Sequence, residues 1–233
     1  MKLVDAHHHF WDLTRNYHPW LCDEPQIPFR YGNYQAIRRN YLPQDYARDA
    51  CGYDIAASVY VEAEWDPEDP VGEVRWVDEV STKCAHPVLI VAQAHLDHAD
   101  VGEILAQHAT FDSVRGVRHK PRATPRDARV KRGLVGSMDD PAWRAGFSRL
   151  EPHGFSFDLQ VPFWHLDQAS ELASDFPGTQ IVLTLRDAEP DNGLMDFTQE
   201  WPIRETVKKY SDFVQYPIEL KVTRSEPVAA DDD

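Results

Sequence analysis

The sequence predicts an α/β fold in which a parallel sheet is covered by helices. Short runs of β-branched and apolar residues alternate with amphipathic segments along the first three-quarters of the chain. Continuous apolar runs of this kind are typical of strands that a parallel sheet buries on both faces. A repeated strand–helix order favours parallel pairing, because each helix returns the chain to the same edge of the sheet.

Six strands and four main helices are predicted in turn. The strands are expected at 2–8, 55–62, 88–94, 114–119, 155–161 and 180–184. The helices are expected at 70–84, 101–109, 141–152 and 166–176, and in the first of them valines recur at a three-residue step. Two long connections remain, 14–43 and 121–140, and loops of this kind commonly carry binding residues.

Composition limits the class of protein. The 233 residues are 42% hydrophobic, as expected for one soluble domain, and fall slightly short of the roughly 250 residues of a complete (β/α)₈ barrel. A formal net charge of −15 argues against nucleic acid or an anionic membrane as a partner. No signal peptide or apolar span precedes the first strand, and Cys22, Cys51 and Cys84 lack C-x-x-C spacing. These features predict reduced thiols and a cytoplasmic location.

Three consecutive histidines end the first predicted strand. Side chains alternate along a strand, so His7 and His9 are expected on one face and His8 on the other. Two imidazoles on one face can bind a divalent metal or polarise a carbonyl oxygen. By the same alternation Asp5 is expected beside them, as an orienting group for an imidazole. A tag remnant or a chance polar strand end is the alternative, which the flanking LVDA and FWD segments disfavour.

The segment DAHHHFWD at 5–12 resembles the opening motif of the amidohydrolase-related family, in the branch that contains sugar-lactone and pyrone-dicarboxylate lactonases. The resemblance continues through YVEA (60–63), VRGVRH (114–119) and FSFDLQV (155–161), and it covers residues 1–183. It implies a distorted TIM barrel. It also implies hydrolysis of a lactone, or a similar ester or amide, of a small carboxylate- or sugar-derived substrate.

The resemblance assigns roles to individual residues. It implies that His7 and His9 line the reaction centre as metal ligands or electrophilic groups. It makes Arg118 and His119 catalytic contacts to the substrate, and it places Gln160 in the pocket lining. A divalent metal such as Zn²⁺ is one expectation, and a metal-independent reaction, as in some lactonases of this branch, is the other.

Several other side chains are candidates for the same pocket. Glu62 ends the second predicted strand, where a carboxylate can bind metal or act as a general base; a surface-facing loop acid is the alternative. Trp65 is expected to form a pocket wall or a packing contact. Asp158, like Glu62, can supply a third metal ligand. The other histidines considered show no grouping and are expected to be surface or core residues: His18, His86, His95, His98, His108 and His153.

The family pattern stops near residue 184. The family expects a His-containing turn, two further βα units and a late Asp, whereas this chain has LRD at 185–187. Residues 178–222 resemble instead the end of the ATPase domain of the Hsp90 chaperones, without the nucleotide-binding motifs of that family. We therefore predict an incomplete barrel of about six βα units over 1–184. An Hsp90-like helix and strand at 185–222 are expected to pack on it, followed by a disordered acidic tail at 223–233.

Two functional hypotheses follow. The first is a hydrolase of the amidohydrolase-related type that acts on a small-molecule substrate. The alternative is a catalytically inactive, truncated or chimeric barrel that lacks the late-strand residues. An incomplete barrel has open strand edges, which the C-terminal helix or assembly into a homo-oligomer is expected to cover.

Overall fold

The computed structural model describes residues 2–27, 32–125 and 129–183. The chain divides into two units, Met1–Thr184 and Leu185–Asp233, and the architecture below is that of the first. The predicted Hsp90-like helix and strand (185–222) and the acidic tail (223–233) lie outside the described residues and stay predictions.

Six parallel strands form one sheet whose spatial order is the order of the chain. They are β1 (Lys2–His8), β2 (Asp54–Val61), β3 (Val88–Gln93), β4 (Val114–His119), β5 (Ser156–Leu159) and β6 (Ile181–Leu183). Each pairs in parallel with the next. The sheet is a curled half-barrel, which confirms the predicted incomplete barrel of the TIM type. All six strands lie where the sequence predicts them.

Helices connect the strands in the described parts of the chain. They are α1 (Pro19–Cys22), α2 (Pro43–Asp49), α3 (Gly72–Ser81), α4 (Val101–His108), α5 (Pro141–Phe147) and α6 (Leu166–Asp175), with 3₁₀ turns at Gln35–Ile37, Glu151–His153 and Phe163–His165. The helix predicted over 141–152 is shorter in the structure: α5 ends at Phe147, and Pro152 lies in the separate 3₁₀ turn Glu151–His153. Within 2–27, 32–125 and 129–183, no helix has both the length and the apolar character needed to cross a bilayer.

The core lies between the helices and one face of the sheet. The valines predicted to form the apolar face of α3 are buried, and Val77 is fully enclosed. Between α5 and β5, the Phe147 ring lies 5.4 Å from that of Trp143 and 5.1 Å from that of Phe157. Burial of such aromatic rings contributes strongly to stability, and it fixes α5 against the ends of β4 and β5.

A β-bulge interrupts β1 between Asp5 and His8. Asp5 pairs with Ser58 and His8 pairs with Tyr60, so three steps along β1 match two along β2. The extra residue reverses the alternation of side chains from that point onward. Because Ser58 and Tyr60 share a face of β2, their partners Asp5 and His8 also share one.

The bulge separates Asp5 from the histidines with which it was grouped. Asp5 Oδ2 accepts a hydrogen bond from the Tyr46 hydroxyl at 3.0 Å, and Oδ1 accepts one from the His7 backbone N–H at 3.2 Å. The prediction that Asp5 orients an imidazole of the pair is therefore wrong, since regular alternation does not hold through a bulge.

Candidate functional site

His7 and His9 lie together at the carboxyl end of β1. Their Nε2 atoms are 3.2 Å apart. His9 Nδ1 lies 2.7 Å from the Val61 carbonyl oxygen, and because a carbonyl only accepts, Nδ1 carries the proton. The lone pair of His9 Nε2 therefore points toward His7. Two nitrogen atoms in this arrangement can share a hydrogen bond or a metal ion.

The two imidazoles are neutral near pH 7. Burial, followed by the neighbouring His7, lowers the pKa of His9 to about 3. Desolvation and then Arg118 lower the pKa of His7, against the opposing effect of Asp5. Neutral imidazole is the form that ligates a metal or accepts a proton.

His8 lies on the opposite face, as predicted. Its Nε2 is 2.9 Å from Ser58 Oγ, and its ring packs 4.6 Å from that of Phe10 and 4.9 Å from that of Tyr46. Burial lowers the pKa of His8 to about 4. His8 is thus a core residue that fixes β1 against β2.

A buried ion pair joins the ends of β2 and β4. Glu62 is 2% exposed and Arg118 is 8% exposed. Arg118 Nε donates to Glu62 Oε1 at 2.5 Å, and Nη2 donates to the Glu62 carbonyl oxygen at 2.5 Å. Glu62 Oε2 accepts from the Glu64 backbone N–H and from the Gln93 side-chain amide. Glu62 is therefore not the surface-facing loop acid of the alternative interpretation, because strand burial and Arg118 enclose it.

Asp158 and Gln160 lie at the next strand. Asp158 is the register partner of Arg118, and burial raises the pKa of its carboxyl while Arg118 lowers it. Gln160 follows β5 and is partly buried, and within the described residues its side-chain oxygen has no hydrogen-bond donor. Asp158 is thus adjacent to the ion pair, and among the described residues neither Asp158 nor Gln160 forms a hydrogen bond with the histidine pair.

His119 is held in one tautomer. Its Nδ1 accepts hydrogen bonds from the Leu96 backbone N–H and from Trp143 Nε1–H, each at 3.0 Å. Two donors on Nδ1 leave the ring proton on Nε2. Burial, followed by His95, lowers the pKa of His119 to about 4, so the ring is neutral. His119 therefore presents an N–H donor, suited to a carbonyl or carboxylate oxygen rather than to a metal.

A cavity of about 420 Å³ lies beside the ion pair. Its size is in the range of small-molecule sites. Its lining combines side chains from the long 14–43 connection with strand ends: Pro19, Trp20, Asp23, Pro25, Ile27, Glu62, Glu64, Trp65, Pro67, Gln93, His95, Arg118, His119 and Lys120. Trp65 packs against His18, with ring centroids 5.1 Å apart. The lining includes Arg118 and His119 but not the histidine pair.

A cluster of metal-ligating atoms lies in the turn after β3, apart from the predicted pair His7 and His9. Among the described residues, the one group of at least three such side chains is His95, Asp97 and His98, whose ligand atoms lie within 4.8 Å of one another. Neither Glu62 nor Asp158 completes a set with the histidine pair there. The expectation that His95 and His98 show no grouping is wrong, because a turn after β3 brings them together. The spacing H-x-D-H directly after a strand was the available signal.

The buried carboxyl of Glu73 in α3 is expected to make the stability of the protein depend on pH. Burial, then the charge of Glu62, raises the pKa of Glu73 to about 8, although Tyr60 and the Ala63 N–H both donate to its Oε1. Unfolding restores an ordinary pKa near 4.5. The contribution of Glu73 to stability therefore falls as pH rises from 4.5 to 8, by up to about 1.4 kcal/mol per pH unit, and is constant above that window.

Urea unfolding across pH 5 to 9 tests this, with Glu73→Gln as the comparison. The difference in unfolding free energy between the two proteins is expected to change across the window, because glutamine keeps an acceptor oxygen and cannot ionise. A constant difference would contradict the raised pKa.

Two comparisons concern a minor part of the chain. Chaperone protein HtpG of Nocardia farcinica is 47% identical over 55 residues, which are 24% of this chain and 8% of that protein. Chaperone protein HtpG of Mycobacterium leprae is 46% identical over 54 residues, 23% of this chain and 8% of that protein. These matches confirm the resemblance to the Hsp90 chaperones and its restriction to a short segment of the chain.

The larger part of the chain matches a different group of proteins. An uncharacterized protein, y4mH of Sinorhizobium fredii, is 36% identical over 183 residues, 78% of this chain and 61% of its own length. The chain thus spans about three-fifths of this relative. The crystal structure of a Burkholderia multivorans amidohydrolase with bound zinc shares the fold, with a TM-score of 0.56, 22% identity, and coverage of 77% of this chain and 56% of that one. The family model described as amidohydrolase matches residues 4–184, and the chain belongs to this family.

Proposed function

We propose that the family portion of this chain hydrolyses a lactone, or a similar ester or amide, of a small carboxylate- or sugar-derived substrate. The observation that carries the proposal is the histidine pair. Both rings are neutral near pH 7, and the Nε2 atoms of His7 and His9 meet at 3.2 Å with a fixed tautomer on His9. Such a pair can bind a cation or accept a proton from an attacking water.

The histidine pair fits a divalent metal. Two imidazole ligands of a tetrahedral zinc ion, with bonds of about 2.0–2.1 Å, have nitrogen atoms about 3.3 Å apart. The observed separation is 3.2 Å, and the Val61 carbonyl supports His9 from behind. Zinc is bound in the structure of the Burkholderia amidohydrolase. When bound here, zinc would polarise the substrate carbonyl and lower the pKa of a bound water.

The proposal also includes a metal-independent reaction. Catalytic zinc typically has three protein ligands, and two histidines alone hold it weakly. In the metal-independent reaction, neutral His7, which is the more exposed histidine of the pair, accepts the proton of the attacking water.

Arg118 and His119 are suited to position the substrate. Glu62 accepts hydrogen bonds from Nε and Nη2 of Arg118. A guanidinium has five N–H donors, so Arg118 can bind Glu62 and a substrate carboxylate together. His119 Nε2–H donates to a substrate oxygen. Trp65 supplies an apolar wall, while Asp158 and Gln160 add polar groups at the neighbouring strand.

A lactone panel tests the proposal. Purified protein is assayed on lactones with and without a carboxylate, after chelation and again with added Zn²⁺. Turnover is expected to favour the carboxylate-bearing lactones and to fall at least about 100-fold in His7→Ala and in His9→Ala, the scale of general acid–base catalysis. His153→Ala, a partly buried histidine in the 3₁₀ turn after α5, is the matched control. Unchanged rates in both site variants would contradict the proposal.

The second candidate is a catalytically inactive, chimeric barrel. The observation that favours it is the lack, among the described residues, of a third metal ligand beside the histidine pair. It predicts a folded protein without turnover on any lactone of the panel, and rapid proteolytic loss of residues beyond 184. Three further expectations stay predictions: a cytoplasmic location, a homo-oligomeric state, and the lack of nucleic-acid and membrane partners. Size-exclusion chromatography tests the oligomeric state.

A further inference from the structure

A second group of metal-ligating side chains lies in the turn after β3. The His98 backbone N–H donates to the His95 carbonyl oxygen at 3.1 Å, which closes the turn. The rings of His95 and His98 stack with centroids 5.0 Å apart and an interplanar angle of 21°. Asp97 lies between them in sequence, and its Oδ1 is 4.0 Å from His119 Nε2. Two imidazoles and one carboxylate thus point to a common volume.

The turn is anchored at Leu96. The Leu96 side chain is fully buried, and its backbone N–H donates to His119 Nδ1. Its carbonyl oxygen lies so close to Gly146 of α5 that a Cβ there would stand 1.8 Å away. These contacts fix the backbone between the three ligating residues, and preorganised ligands bind a metal with a smaller entropic cost.

We propose that His95, Asp97 and His98 form a binding site for a zinc-class divalent cation at the wall of the cavity, separate from the histidine pair on β1. The ligand atoms lie within 4.8 Å of one another, and the exposed His98 side chain has the freedom to rotate toward a shared ion. Three protein ligands leave one tetrahedral position for water or for an oxygen ligand. Because His95 also lines the cavity, that ligand can come from a bound carboxylate.

The donor types select the class of cation. Two imidazole nitrogens and one carboxylate favour Zn²⁺, Co²⁺ or Ni²⁺ over Mg²⁺ and Ca²⁺, which prefer oxygen ligands. Burial, then His98, lowers the pKa of His95, so its ring is in the neutral form that a metal requires. His119 is not a ligand, because both Nδ1 donors would have to be lost before Nε2 could bind a cation. The His119 Nε2 atom lies 4.0 Å from Asp97 Oδ1, beyond hydrogen-bond distance, and its N–H stays free for a substrate oxygen.

Cobalt titration of the full chain tests the site. In a His7→Ala/His9→Ala background, one equivalent of Co²⁺ is expected to bind, with visible absorption typical of nitrogen and oxygen ligands. Adding Asp97→Asn or His98→Gln is expected to weaken this binding by more than the roughly 10–100-fold that loss of an outer-shell partner costs. Adding His153→Gln instead is expected to leave it unchanged. Mg²⁺ in excess should not compete.

A second measurement keeps the proposal testable if the His7→Ala/His9→Ala protein does not fold. In the otherwise unchanged chain, His98→Gln should reduce the Co²⁺ stoichiometry by one equivalent, and circular dichroism checks that the fold is kept. No saturable binding in the folded His7→Ala/His9→Ala protein would overturn the proposal. The proposal would also be overturned if Asp97→Asn and His98→Gln left the affinity for Co²⁺ the same as in the His7→Ala/His9→Ala protein. Lactone turnover is measured separately, so failure of this site and failure of the proposed hydrolysis are distinguishable.

Discussion

Replacing Arg118 by methionine is expected to destabilise the barrel unit by about 3–5 kcal/mol, the typical cost of leaving one member of a buried ion pair without its partner. Glu62 is 2% exposed, and its Oε1 accepts from Arg118 Nε. After the substitution, the carboxylate keeps only the Gln93 amide and the Glu64 N–H as donors among the described residues. These neutral groups stabilise a buried charge less than a guanidinium does.

A double-mutant cycle identifies the cause. Arg118→Met/Glu62→Leu removes both charges and is expected to cost much less than the sum of the single substitutions. Arg118→Lys keeps the positive charge but loses the planar set of N–H donors, so the expected loss of unfolding free energy is intermediate. Urea unfolding is followed by tryptophan fluorescence in a Trp201→Phe background, so that every remaining tryptophan lies within residues 11–164. A loss below about 1 kcal/mol for Arg118→Met would show that the carboxylate is not dependent on Arg118.

Replacing Trp143 by alanine is the second large effect, with an expected loss of about 3–5 kcal/mol. Trp143 is fully buried, and its ring contacts Phe147, Phe157 and His119. Alanine leaves a cavity between α5 and the sheet, and it also removes one of the two donors that fix the His119 tautomer. The same fluorescence-detected unfolding, supported by circular dichroism, measures the loss.

Trp143→Phe separates packing from hydrogen bonding. Phenylalanine retains most of the apolar ring but not the indole N–H, so the expected loss is about 1–2 kcal/mol. Removing a donor from Nδ1 destabilises the neutral form of His119 relative to the protonated form. Its pKa should therefore rise from about 4 toward 6.5, which ring-nitrogen NMR shifts can follow. An unchanged His119 titration would show that Leu96 alone sets the tautomer.

Much of the fold was predictable because strand and helix periods are local properties of the sequence. The six strands and the apolar face of α3 follow directly from apolar runs and spacing. The alternation that placed His7 and His9 on one face and His8 on the other also holds in the structure. Asp5 was misplaced because a bulge depends on the pairing with β2, which the sequence of β1 does not contain.

The polar network of the site was less predictable. Burial of Glu62 depends on Arg118, which lies 56 positions later in the chain, and nothing local indicates that pairing. The His119 tautomer depends in the same way on Leu96 and Trp143, from two other segments. The grouping of His95 with Asp97 and His98 was within reach of a local analysis, since four consecutive residues after a strand carry all three ligands.

The pairing of β1 has a consequence for how the histidine pair is kept in place. Within the described residues β1 has a strand neighbour on one side alone, and that neighbour is β2. The Val61 carbonyl orients His9, the Ser58 hydroxyl contacts His8, and Tyr60 sets the register after the bulge. β2 therefore acts as the template for the first-strand motif. Ser58 contacts neither His7 nor His9. We nevertheless expect a substitution at Ser58 to change the distance between these two histidines, because Ser58 holds the neighbouring residues Asp5 and His8.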